Sequence, residues 1–140
     1  MLKKLYIIFF ILFSFNSFAV EKKTNFTLEK FTEAKKSGKT IVINSWNKYC
    51  GTCAKLVKIL KEAEKDFPNA LFLYYEQNKN EEIAKLLNVK YWATIIIYKN
   101  SKEVAKEIGV TSKNDINSLI KKESHKIVPQ PHYESHFAHQ

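Results

Sequence analysis

The chain has two cysteines, Cys50 and Cys53, and they stand two residues apart in the stretch Trp46-Asn47-Lys48-Tyr49-Cys50-Gly51-Thr52-Cys53. Two thiols at this spacing read as a redox pair, because thiol-disulfide exchange needs one thiol that ionises easily and can be reached, and a second close enough to resolve the mixed disulfide. The motif follows an apolar run and precedes an amphipathic one, which is the pattern of a strand-to-helix turn. With the helix starting near Cys50, unpaired N–H groups and the positive end of the helix dipole favour the Cys50 thiolate, and Lys48 adds positive charge. Such settings lower a thiol pKa from ~8.5 to roughly 3.5–7.5. Cys50 is therefore the expected attacking residue. Cys53, a turn inside the helix, is expected to keep a higher pKa and to resolve. Gly51 leaves the approach to Cys50 open, and Thr52 offers a hydroxyl to a neighbouring sulfur. Trp46 and Tyr49 read two ways: as an apolar shoulder for a docking disulfide, or as the edge of the core.

These roles require a strand that ends, and a helix that begins, at the motif. Ile41, Val42 and Ile43 within 40–45 give the continuous β-branched run of a strand buried on both faces. Open α/β sheets place their sites at the C-terminal ends of such strands. Over 53–67, Cys53, Val57, Leu60 and Phe67, flanked by Leu56 and Ile59, recur at helical spacing opposite Lys55, Lys58, Lys61, Glu62 and Lys65, and Pro68 ends the helix. Upstream, 20–25 is a polar leader or short edge strand. Residues 26–36 read as a helix with Thr27 as N-cap, Phe26 and Phe31 as a hydrophobic staple, Leu28, Phe31 and Ala34 on one face, and Gly38 as the stop.

Downstream, 71–75 is a second apolar strand. A short helix over 81–87 has Asn80 as N-cap, Glu81 and Glu82 in its first turn, and Asn88 closing it in a left-handed conformation. Strands over 94–98 and 103–108 flank the loop Lys99-Asn100-Ser101-Lys102, short enough to force an antiparallel hairpin. Gly109 breaks the second of them. Ser112 with Asp115 opens a last helix over 113–122, with Ile116, Leu119 and Ile120 on one face. Strands separated by helices imply right-handed parallel crossovers, and the hairpin adds an antiparallel edge. The fold class expected is α/β: a central mixed sheet with helices on both faces and a terminal antiparallel hairpin.

The stretch 41–55, Ile-Val-Ile-Asn-Ser-Trp-Asn-Lys-Tyr-Cys-Gly-Thr-Cys-Ala-Lys, resembles the active-site segment of the thioredoxin family, and 88–109 resembles that family's terminal hairpin region. The likeness spans most of 26–122. It implies a thioredoxin-like fold and thiol-disulfide exchange on protein clients, with Cys50 as nucleophile and Cys53 as resolving thiol. Three positions depart from the family's pattern. Its buried Asp, which handles the resolving thiol's proton, is replaced by Asn44, which takes no proton at working pH. Its Gly-Pro dipeptide is here Gly51-Thr52. Its cis-proline aligns with Ala93 in Tyr91-Trp92-Ala93-Thr94, and no proline lies between Pro68 and Pro129. A cis bond before a non-proline residue costs ~2.5–4 kcal/mol, so a trans Trp92–Ala93 bond and a reshaped loop are expected.

Residues 1–19 read as a separate object. Met1, Lys3 and Lys4 give a charged start, 5–15 is apolar apart from Ser14, and Asn16-Ser17-Phe18-Ala19 ends the run with mostly small or polar residues. The run is shorter than the ~20 residues of a membrane-spanning helix, which favours a secretory signal cleaved after Ala19; an uncleaved anchor is the alternative. The boundaries expected are a signal at 1–19, one domain at 20–122, and a disordered His-containing tail at 123–140. Export to the periplasm would suit a cysteine pair kept oxidised or cycled by an envelope electron donor. A soluble monomer without a stable membrane anchor after cleavage is expected.

The formal charge is +9, and losing Lys3 and Lys4 with the signal leaves +7. All 23 basic residues are Lys. Nucleic-acid readers lean on the planar fork of Arg, and here lysines alternate with Glu on helix surfaces, so the charge reads as a solvated face and no nucleic-acid partner is expected. No cofactor is called for. All four histidines, His125, His132, His136 and His139, fall in the tail. Against plain disorder stands metal capture: His132, His136 and His139 with the thiols offer copper or zinc a mixed nitrogen and sulfur site, as in a metal-delivery protein.

Overall fold

The computed structural model describes residues 24–122. The expected signal at 1–19 and the tail histidines lie outside the described residues. Along the chain run α1 (Leu28–Lys36), β1 (Ile41–Trp46), α2 (Gly51–Asp66), β2 (Leu71–Glu76), a 3-10 turn (Gln77–Lys79), α3 (Glu81–Leu86), β3 (Thr94–Lys99), β4 (Lys102–Ile108) and α4 (Lys113–Lys121). The four strands form one sheet in the order β2-β1-β3-β4.

Every residue of β1 is buried, as its β-branched run requires of a strand covered on both faces. The side chains divide by parity. Val42 and Trp46 point to a cluster with Cys53, Leu56 and Leu60 of α2 and Ile116 and Ile120 of α4. Ile41 and Ile43 point to the opposite cluster, with Phe31 and Ala34 of α1 and Ala84 of α3. Two helices therefore cover each face.

The β1-α2-β2 unit is parallel, as its crossover requires. The expectation of parallel crossovers throughout needs correction at β3, which pairs antiparallel with β1, Val42 facing Ile97. The hairpin thus enters the sheet through its first strand, and β4 alone forms the edge. The chain between β2 and β3 brings β3 back from the end of the sheet where β2 stopped, so no full crossover is made.

Local signals account for most element boundaries. The Thr27 side chain accepts a hydrogen bond from the Lys30 N–H at 3.2 Å, and Phe26 packs on Phe31 with ring centroids 5.5 Å apart. Gly38 and Gly109 take left-handed φ values of 69° and 72°, and Asn88 does the same at 50°. Residues 24–25 run beside β2: the Asn25 and Phe26 amides donate to Tyr74 O, the Tyr74 amide donates to Asn25 Oδ1 at 2.7 Å, and Asn25 Nδ2 donates to Phe72 O. They pair partly through side chains and form no regular strand.

Three local expectations change. Leu28 is exposed, because the staple turns α1 so that only Phe31 and Ala34 face the core. Asn80 occupies the N-cap position of α3 as expected, but its side chain makes no cap hydrogen bond; its Nδ2 donates instead to Glu76 O at 2.8 Å. The hairpin loop has two residues, Asn100 and Ser101, both at positive φ, the primed turn that matches the twist of paired strands. Ser101 donates its hydroxyl to Lys35 O, so the turn is held against the end of α1.

Candidate active site

The C-terminal end of β1 delivers the chain into the motif through a short loop whose geometry Asn47 sets. Asn47 is buried, and its Oδ1 accepts the Tyr49 N–H at 2.9 Å while its carbonyl accepts the Cys50 N–H at 3.2 Å. Such Asx turns reverse the backbone over two residues. Cys50 then stands as N-cap of α2 with extended backbone, φ −92° and ψ 108°. Its sulfur accepts the Cys53 N–H at 3.1 Å, taking the place an oxygen fills in an ordinary cap. Sequence reasoning missed Asn47, although Asn three residues before a helix N-cap is a recognisable turn signal.

Cys50 and Cys53 are joined by a disulfide, with Cα atoms 5.2 Å apart. The two sulfurs differ in setting. Cys53 is fully buried in the cluster with Trp46 and Ala93, whereas Cys50 is partly exposed and packs at that cluster's margin. A thiolate at Cys50 would meet helix N–H groups and water; one at Cys53 would have to ionise in an apolar cluster.

The surrounding residues sort by exposure. Trp46 is buried, which places it in the core under the motif and leaves Tyr49, 80 % exposed, as the aromatic of the motif that faces solvent. The Lys48 ammonium lies over the Tyr49 ring, 4.7 Å from its centroid. Gly51 and Thr52 are exposed; a Cβ added to Gly51 would meet nothing within 4 Å. The hydrogen bond at the Cys50 sulfur comes from the Cys53 amide and not from the Thr52 hydroxyl.

Asn44 is fully buried on the face of β1 that carries Val42 and Trp46. Its Nδ2 donates to Ser45 O and Thr94 O, both at 3.3 Å, while its Oδ1 has no partner. The amide therefore acts as a strut between β1 and the start of β3. It supplies no titrating group beneath the cysteines.

Facing the motif is the segment before β3. Ala93 is buried with φ 55°, a left-handed conformation that costs an L-residue roughly 1–2 kcal/mol. The Trp92–Ala93 bond is trans; no cis bond occurs among the described residues. The Ala93 carbonyl accepts the Gly109 N–H at 2.9 Å, and Thr94 Oγ1 donates to Tyr91 O at 2.6 Å. Tyr91 and Trp92 point outward, 63 % and 44 % exposed.

Among the described residues no group of three or more His, Cys, Asp and Glu side chains is placed to hold a metal ion, and no helix is long and apolar enough to cross a membrane.

Comparison with known proteins gives a consistent result. The chain is 29 % identical over 92 residues to an H-type thioredoxin of Oryza sativa subsp. indica, covering 66 % of this chain and 75 % of that protein. A thioredoxin of Chlamydia trachomatis is 27 % identical over 94 residues, 67 % of this chain and 91 % of its own. Among solved structures, Fasciola hepatica thioredoxin superposes with a TM-score of 0.59 at 27 % identity, over 66 % of this chain and 88 % of that one. Trxlp from Edwardsiella tarda, at 19 % identity, shares the fold with a TM-score of 0.66 over 69 % and 96 %. The family profile for thioredoxin matches residues 19–122. With its fold, its bridged Cys50–Cys53 pair and this match, the chain belongs to the thioredoxin family and is a protein thiol-disulfide oxidoreductase.

Proposed function

We propose that this protein is a disulfide reductase or exchange enzyme for exported proteins, working in the periplasm through Cys50 as nucleophile and Cys53 as resolving thiol. The observation that carries the reading is the asymmetry of the pair: Cys50 is partly exposed at a helix N-terminus, and Cys53 is fully buried. In the reducing direction the Cys50 thiolate attacks a client disulfide. One client S–S bond breaks, a Cys50–client S–S bond forms, and the departing client thiolate takes a proton. Cys53 then loses its proton and attacks the Cys50 sulfur. The Cys50–Cys53 bond closes, the second client thiolate leaves and is protonated, and two electrons have passed to the client. A dithiol donor must reduce the pair again.

Asn44 cannot accept the Cys53 proton, so that proton leaves to water or to the departing client thiolate. The periplasmic setting is supported by the charged, apolar and small-residue order of 1–19.

The test is a Cys53→Ser variant, which retains the attacking thiol and lacks the resolving one. It is expected to accumulate mixed disulfides with exported proteins, all lost in Cys50→Ser. Adducts formed equally well by a Cys50→Ser variant through Cys53 would reverse the roles. Absence of adducts from both would end the reading. The reduction potential of the pair decides direction, a strongly reducing value meaning reductase and a strongly oxidising one a disulfide donor. Cell fractionation, with the mass of the mature N-terminus, checks the location and the cleavage after Ala19.

A further inference from the structure

The segment facing the disulfide has no proline to fix it, and its conformation is costly at Ala93. Something else must hold it. The 3-10 turn after β2 carries two side chains that reach across to it. Gln77 bridges: its Oε1 accepts the buried Ser45 hydroxyl at 2.6 Å, and its Nε2 donates to Lys90 O at 3.2 Å. Asn78 takes the next hold, its Oδ1 accepting the Trp92 indole N–H at 3.1 Å. Ser45 stands immediately before Trp46 on β1 with its side chain on the sheet face opposite Cys53, so the chain of bonds ties the C-terminal end of β1, where the motif begins, to the segment that faces the disulfide.

We propose that Gln77 and Asn78 are positioning residues for client docking: together they bracket 90–93 against the disulfide and hold the Trp92 ring ready for a polypeptide that presents its disulfide to Cys50. The proposal rests on the oxidoreductase reading above. Trp92 is partly exposed, yet its only polar atom is already satisfied. An aromatic ring fixed in this way offers a client large apolar contact area at a small cost in lost rotamer freedom. The Gln77 hold acts on the backbone of Lys90, so it limits how far the segment can swing away from Cys50. Both residues do by long-range hydrogen bonding what a rigid residue in the segment would do locally.

Two substitutions separate the bracket from the fold. Gln77→Glu keeps an acceptor for Ser45 but removes the donor to Lys90 O. Asn78→Leu keeps the approximate shape and removes the acceptor for Trp92, and Asn78→Asp restores that acceptor. The full chain would be assayed for insulin reduction with dithiothreitol as donor, together with hydrogen exchange of the backbone amides of 90–93. Gln77→Glu and Asn78→Leu are expected to raise KM for insulin about threefold to tenfold, with a smaller change in kcat, and to speed exchange at 90–93; Asn78→Asp should recover most of both. Unchanged exchange in both altered proteins would overturn the bracket, and faster exchange with unchanged KM would overturn its role in docking. A wild-type chain inactive toward insulin would sink the reductase reading alone, and exchange at 90–93 would still uphold or overturn the bracket.

Discussion

Two loops meet at the Cys50–Cys53 disulfide, and they are held in opposite ways. The loop 47–50 is ordered by its own residues: Asn47 bonds the amides of Tyr49 and Cys50, and the Cys50 sulfur bonds the amide of Cys53. No partner is more than three positions away. The segment 90–93 has one local bond, Thr94 Oγ1 to Tyr91 O, and otherwise depends on distant partners: Gln77 on Lys90, Asn78 on Trp92, and Gly109 on Ala93. The Cys50 side of the site is thus built with its helix, whereas the facing side takes shape only when β2, β3 and β4 are in place. Short-range bonds cost little chain entropy to close, and the others need the sheet first. The difference locates adjustable parts of the site in 90–93, where most of the holds come from residues far away in the chain.

The largest expected break in this comparison is at Ala93. A proline there fixes φ near −65°, far from the observed 55°, so Ala93→Pro is expected to destabilise the domain by about 2–4 kcal/mol, read as a lower urea midpoint. An unchanged midpoint would mean that 90–93 can refold around a proline and that its left-handed turn is not required. The local loop should respond less. Asn47→Ala leaves the Tyr49 amide without its acceptor and is expected to cost about 1–2 kcal/mol, most of it recovered by Asn47→Asp. Failure of Asp to recover it would show that packing, and not the Asx turn, is what Asn47 contributes.

The smallest effect belongs to neither loop and serves as their control. Burial pushes the Tyr75 hydroxyl pKa up to about 12, with the nearby Ser45 hydroxyl acting the other way, and raises that of Tyr74 further, helped by its 2.6 Å hydrogen bond to Glu64. Tyrosine is neutral below its pKa, so a raised folded pKa adds stability that is fully present below pH ~10, the unfolded value, and is lost as pH rises through the folded one. Urea midpoints should therefore be level from neutral pH to about 10 and fall toward 12, with a shallower fall in Tyr74→Phe. A decline beginning near pH 8 would point to another titrating group.

How much of this was legible in the sequence follows the same division. The Thr27 cap, the Phe26–Phe31 staple, the breaks at Gly38 and Gly109 and the left-handed Asn88 were all readable, because each is fixed by neighbours within a few positions. Ala93 was readable as a departure from the family's proline, but its φ was not. The antiparallel entry of β3 is not legible, since a run such as Thr94 to Ile97 carries no mark of direction. Spacing alone puts Leu28 on the face of Phe31 and Ala34, and the orientation of α1 leaves it exposed. The bracket from Gln77 and Asn78 had no signal at all, being two polar residues in a polar stretch.

The sequence by itself determined the chemistry and its address on the chain: two cysteines two residues apart, after a β-branched run that reads as a buried strand and before an amphipathic helix. Periodicity and cap residues act over one or two turns, so they can be read without the fold. Tertiary structure decided which sulfur is buried, that Trp46 lies in the core while Tyr49 faces solvent, and how a segment without proline is held against the disulfide. Those outcomes depend on contacts between residues far apart in the chain, which exist only once both faces of the sheet are covered.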